Sequence, residues 1–166
     1  MSEEKQDALE LLDADHRAVR QLFQDYRKLA ANDAPEARRK ALAEQICMEL
    51  TIHAKLEEEL FYPPVREAIR DDDLMDEAEV EHAAARDLIV QILSMDPHEE
   101  LYDAKVTVLG EYIEHHVREE RDEMFPKARR SGVDLARLGE RLRERRSELE
   151  AVPEALREEL LASMMA

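Results

Sequence analysis

Two stretches of this sequence each pair a histidine with a glutamate four residues later, and each places a proline ten residues after the histidine: His53-x-x-x-Glu57 ahead of Pro63, and His116-x-x-x-Glu120 ahead of Pro126. On an α-helix a four-residue step sets two side chains on one face, one turn apart. An imidazole and a carboxylate can then aim at a single point. That is half of a metal site, and the chain carries it twice.

Two further histidines extend the pattern. Asp13-x-x-His16-x-x-x-Arg20-x-Leu22-Phe23 aligns with Glu79-x-x-His82-x-x-x-Arg86-x-Leu88-Ile89, and each precedes one of the His-x-x-x-Glu runs. The chain therefore reads as a duplicated hairpin of helices, related by a pseudo-twofold axis that brings four histidines to one level. A lone histidine on an apolar seam is ordinarily a packed core residue. Four imidazoles and two carboxylates in one layer are another matter, since an unsatisfied buried polar group costs about 1–3 kcal/mol and an unpaired charge more. A metal cluster satisfies all six. Imidazole and carboxylate without thiolate point to iron or manganese, with a closed four-ligand zinc site behind them. In the dinuclear arrangement His16 and His53 serve one ion, His82 and His116 the other, and Glu57 and Glu120 lie between. Positions stay open for water, oxo or a small diatomic ligand.

The elements that must hold these groups follow from apolar spacing. Leu9, Leu12, His16, Val19, Phe23, Tyr26 and Ala30 recur at steps of three and four and predict a helix over 7–31. Asn32-Asp33-Ala34-Pro35 turns the chain, and Pro35 opens a second helix running from about 36 into the 60s. Its seam is Leu42, Ile46, Glu49, His53, Leu56 and Leu60, and Pro63-Pro64 should kink or end it. A third helix covers about 75–95, with Met75, Ala78, His82, Ala85, Ile89 and Ile92 inward. A fourth covers about 99–129, with Val106, Leu109, Ile113, His116, Glu120 and Met124 inward, before Ser131-Gly132. The expected fold is all-α: an up-down-up-down four-helix bundle over residues 1–130, followed by an amphipathic helical extension over 131–166 that caps or flanks it, with a dimer contact as the alternative.

Composition agrees. Charged residues are 39% and aromatics 4%, with three glycines and no tryptophan, a mixture that favours helix over sheet. A net charge of −17 argues against nucleic acid and anionic membranes as partners. The single cysteine, Cys47, rules out an internal disulfide and reads as a small buried apolar residue. No signal peptide is visible, and no stretch nears the ~20 apolar residues of a membrane span. A cytoplasmic location is expected.

With these residues in hand, the sequence resembles the hemerythrin-like HHE cation-binding family over about residues 7–130. The paired His-x-x-x-Glu runs ending in Phe61-Tyr62-Pro63 and Phe125-Pro126 carry the resemblance. It implies a four-helix bundle around a non-heme di-iron centre with oxo or hydroxo and carboxylate bridges, held here by His16, His53, Glu57, His82, His116 and Glu120. Manganese and zinc rank behind iron. Two departures matter. The oxygen carriers of the family have another histidine four residues after the third-helix histidine, where this chain has Arg86. They also end in His-x-x-x-x-Asp, where it has His116-x-x-x-Glu120. The five-histidine, reversibly O2-binding site is not reproduced. The bacterial members linked to peroxide or NO handling and to iron sensing are the better match, so the expected ligand is a peroxide or a small diatomic.

The neighbouring residues take secondary roles. His115 can replace His116 only off the seam. Glu49 and Tyr112 sit one turn before a ligand histidine, as hydrogen-bond partners, extra ligands or packing. Asp13 and Glu79, three residues before their histidines, are candidates to orient them, with Arg20 and Arg86 as their counter-charges.

Overall fold

The computed structural model describes residues 5–163. The chain begins with α1 (Ala8–Ala31), whose first turn is closed by reciprocal capping: Asp7 accepts from the Glu10 amide at 2.9 Å, and Glu10 accepts from the Asp7 amide at 3.4 Å. After the turn, α2 (Glu36–Leu56) runs back along α1. It passes without a break through a π-helical turn (Glu57–Phe61) into α3 (Tyr62–Ile69). Arg70, in the left-handed region at φ 53°, ends α3, and Asp71 caps α4 (Asp72–Leu93) by accepting from the Leu74 amide. The second hairpin partner is α5 (Tyr102–Glu119), which again passes through a π-helical turn (Glu120–Met124) into α6 (Phe125–Arg130).

The two π turns correct the expectation at the prolines. Pro63 and Pro126 do not end their helices. Each lacks an amide hydrogen, and its ring would strike the carbonyl four residues back in a regular α-helix. The chain inserts one residue instead, so the Tyr62 amide donates to Glu57 O and the Phe125 amide to Glu120 O, five residues back in each case. One extra residue turns everything beyond it by roughly 100°. That is why Leu60, expected on the buried seam, is only partly covered, while Phe61 and Tyr62 are buried.

The pairs α1–α2 and α4–α5 form two hairpins, joined across the bundle through α1–α5 and α2–α4. The extension forms α7 (Leu135–Glu150) and α8 (Pro153–Ser163). α7 lies along α1 and α2, and α8 against α2 and α4. Leu138, Leu142 and Leu149 of α7 and Leu156 of α8 join the apolar cluster built on Leu12, Leu56, Phe61 and Val65. A second apolar cluster, around Phe23, Ile46, Ile89 and Leu109, fills the other end of the bundle. The histidine level lies between the two.

Candidate metal centre

The structure brings all six of His16, His53, Glu57, His82, His116 and Glu120 to one buried point; both glutamates are wholly enclosed, at 0% exposure. The first hairpin presents His16 Nε2 and His53 Nε2 3.2 Å apart, and the second presents His82 Nε2 and His116 Nε2 3.1 Å apart. The glutamates tie the hairpins together. Glu57 Oε1 is 3.1 Å from His53 Nε2 on its own helix and 3.3 Å from His82 Nε2 on the other hairpin. Glu120 Oε1 is 3.2 Å from His116 Nε2 and 3.3 Å from His16 Nε2. Two groups of donors result, His16–His53–Glu57–Glu120 and Glu57–His82–His116, each within 4.8 Å of one another, with Glu57 common to both.

These atoms converge without satisfying each other. Both oxygens of Glu57, Oε1 of Glu120, and Nδ1 of His16 and of His82 are buried with no hydrogen bond among the described residues. A buried carboxylate in that condition calls for a cation. Metal binding fits this donor set on its chemistry and its convergence alike.

Two histidines are oriented from behind. Asp15 Oδ2 accepts from His53 Nδ1 at 2.9 Å, and Glu81 Oε1 accepts from His116 Nδ1 at 3.0 Å. Fixing the proton on Nδ1 turns Nε2, once deprotonated, into the donor nitrogen facing the cluster. The relation repeats with the duplication: each acid directly precedes a candidate ligand (His16 or His82) and serves the histidine on the neighbouring helix. Asp15 is itself paired to Arg146 of α7, and burial, which would raise its pKa, is outweighed by His53 and Arg146, which hold it below the usual range. Burial likewise works against the charge on His53, but Glu57 and Asp15 raise its pKa to about 10. The His116 imidazole is raised well above its ordinary value against the same opposition from burial, by Glu120, Glu81 and Glu57.

Tyr62 belongs to the centre as well. Its hydroxyl donates to Glu120 Oε2 at 3.1 Å and lies 3.0 Å from both His82 Nε2 and His116 Nε2. Burial first, then the charges of Glu120 and Glu57, raise its pKa well above 10, so it holds its proton. Five residues after Glu57 stands Tyr62; five after Glu120 stands Phe125, whose ring stacks on His16 with centroids 5.8 Å apart. The duplicated site is thus asymmetric: one half has a hydroxyl and the other a phenyl ring. Tyr62 lies within the sequence motif, but an α-helical register turns it away from the seam, and only the π turn brings it in.

Six of the neighbouring candidates fall outside the cluster. Asp13 pairs with exposed Arg17 at 3.8 Å and Glu79 is exposed, so Asp15 and Glu81 take the orienting role. Arg86 pairs with Glu58 at 2.5 Å rather than with Glu79. Glu49 accepts from Gln45, and Tyr112, 49% exposed, stands at the edge of a cavity leading to the cluster. His115 is 63% exposed and lies near Glu81 and Glu119, away from the buried point. Burial pushes the Cys47 thiol up to about 12 and leaves it inert.

The sequence matches the hemerythrin HHE cation binding domain over residues 7–128. A search of curated proteins returns no match. Among solved structures, the fold resembles that of a hemerythrin HHE cation binding domain-containing protein from Mycobacterium kansasii, with a TM-score of 0.72, 24% identity and 88% of each chain covered. On the family match, over a bundle whose histidines and glutamates converge in this way, the chain belongs to the hemerythrin HHE cation-binding family.

Proposed function

We propose that this protein is a non-heme di-iron protein that binds or consumes O2, peroxide or NO inside the bundle. One observation carries the reading: Glu57 and Glu120 are wholly buried, each spans both hairpins, and both oxygens of Glu57 and Oε1 of Glu120 lack a hydrogen bond among the described residues. His16 and His53 hold one ion, His82 and His116 the other, with the two carboxylates between. Bound iron supplies the electrons and the open coordination positions for the small ligand. The chain supplies the rest. Asp15 and Glu81 hold the rings of His53 and His116, and the packed aromatic residues Phe61 and Phe125 close the floor against water. Tyr62 keeps a proton on its oxygen beside His82 and His116, where a reduced oxygen species would need one.

Protein purified in air should contain about two irons per chain and absorb in the near ultraviolet, as oxo- and carboxylate-bound ferric iron does. His53→Ala and Glu57→Ala should each lose iron. A colourless chain that takes up no iron, or variants with full iron content, would end this reading. Consumption of peroxide and of NO by the reconstituted protein then decides between the ligands.

A second reading, an iron- or oxygen-responsive sensor without turnover, has one contact in its favour. Arg146 of α7 pairs with Asp15, which holds His53, so α7 reaches the candidate centre through that acid. Limited proteolysis with and without Fe(II) tests it, and unchanged protection of residues 135–163 argues against sensing.

A further inference from the structure

A cavity of about 260 Å³ runs from the surface to the histidine level. Its inner end is formed by His16, His53, Glu57, His82 and His116, while Tyr62 and Glu120 lie outside its lining. A diatomic or peroxide needs little more room than one water, about 10–15 Å³ on the same measure. The space is far larger than that. An apolar cavity of about 150 Å³ already takes benzene, so this one has room for a larger body.

The walls say what kind of body. Every long helix of the bundle gives an aliphatic side chain: Val19 from α1, Leu50 from α2, Ala85 and Ile89 from α4, Ile113 from α5. α8 adds Leu160. Such a sleeve around a polar end is the usual build of a small-molecule site. The charges say what kind of head. The lysine and the arginine in the lining are already engaged, Lys55 with Glu159 at 3.0 Å and Arg86 with Glu58 at 2.5 Å. Further in, Glu57 already faces His53 at 3.1 Å and Glu81 already faces His116 at 3.0 Å. An anionic head entering the metal-free chain finds these cations engaged by carboxylates and loses its hydration.

We propose that the cavity binds a neutral organic molecule with an apolar body larger than benzene and a single hydroxyl- or hydroperoxyl-type head, the head directed at the four histidines. The seat of the body depends only on the walls. What the head meets rests on the di-iron reading above.

Calorimetric titration of the full chain with cumyl alcohol, a neutral and unreactive probe, tests this, with benzoate as an anionic probe of similar size. Titrations are run on iron-loaded and on chelator-treated protein, with iron content read separately. Saturable one-to-one binding of the alcohol is expected on both, with benzoate at least tenfold weaker on the chelator-treated protein. Ala85→Leu, which fills the cavity, should weaken the alcohol at least tenfold. Should that variant not fold, Ile113→Ala, which enlarges the cavity, should shift preference toward the bulkier 1-naphthylmethanol. Absence of saturable alcohol binding, equal binding of benzoate to the chelator-treated protein, or wild-type behaviour in the folded variants overturns the proposal. Alcohol binding by a chain that takes up no iron would sink the di-iron reading and leave the cavity's ligand class standing. Iron uptake without alcohol binding would do the reverse.

Discussion

Asp15 and His53 stand 38 residues apart in the chain, yet Asp15 Oδ2 sits 2.9 Å from His53 Nδ1. The same relation links Glu81 to His116 at 3.0 Å. Each acid fixes the ring of a candidate ligand that its own helix does not carry. Loss of such a partner typically weakens metal binding about 10–100-fold. Asp15→Asn and Glu81→Gln should therefore raise the iron dissociation constant by that order in competition against a chelator. Asp13→Asn and Glu79→Gln should leave it unchanged, because neither side chain reaches a histidine. Equal effects from all four would mean that general charge, and not ring orientation, governs affinity.

Tyr62 gives the centre its asymmetry. Tyr62→Phe makes this half like the half that carries Phe125 and removes only the hydroxyl. Iron content should stay at the wild-type level. Peroxide consumption should fall about 100-fold or more, the range in which loss of a positioned proton donor is felt. An unchanged rate at unchanged iron content would remove the phenol from the chemistry.

The metal-free chain should lose stability as pH rises. His53 titrates at about 10 when folded against an ordinary 6.5, so between those values the folded chain holds a proton that the unfolded chain has released. Stability then declines with pH. The contribution is complete below about 6.5 and gone above about 10. Urea midpoints measured with a chelator should drop across that window, and His53→Ala should flatten the slope. Iron must displace these protons, so uptake should release acid and weaken as pH falls. A wild-type midpoint that is flat or climbs with pH contradicts the charge arrangement.

The C-terminal helices should be part of the folding unit. A Cβ placed on Gly139 of α7 would lie 2.8 Å from the Gln6 carbonyl oxygen and 3.0 Å from the Asp7 carbonyl carbon, both backbone atoms ahead of α1. Gly139→Ala should therefore destabilise by about 1–3 kcal/mol, as overpacking does. Leu142→Ala, at a fully buried position, should cost about 2–5 kcal/mol. Both are read from urea denaturation in a single transition. Midpoints within error of wild type would show α7 to be an appendage.

What the sequence determined by itself was the set of side chains that meet. Helical period and the His-x-x-x-Glu spacing are properties of one helix at a time, and the duplication placed the four histidines at one level. His16, His53, Glu57, His82, His116 and Glu120 could be read that way. Only the tertiary structure decided their company. Which acid faces which ring depends on the rotation and offset of one helix against its neighbour, so Asp15 and Glu81, one residue from a ligand, do the work expected of Asp13 and Glu79, three residues away. Tyr62 entered through a π turn forced by Pro63, an insertion in hydrogen bonding that leaves no trace in apolar spacing. The extension's leucines announced a buried face, but only docking on α1 and α2 set Arg146 against Asp15. Spacing within a helix is fixed by its 3.6-residue turn, whereas contact between helices is fixed by how their surfaces pack.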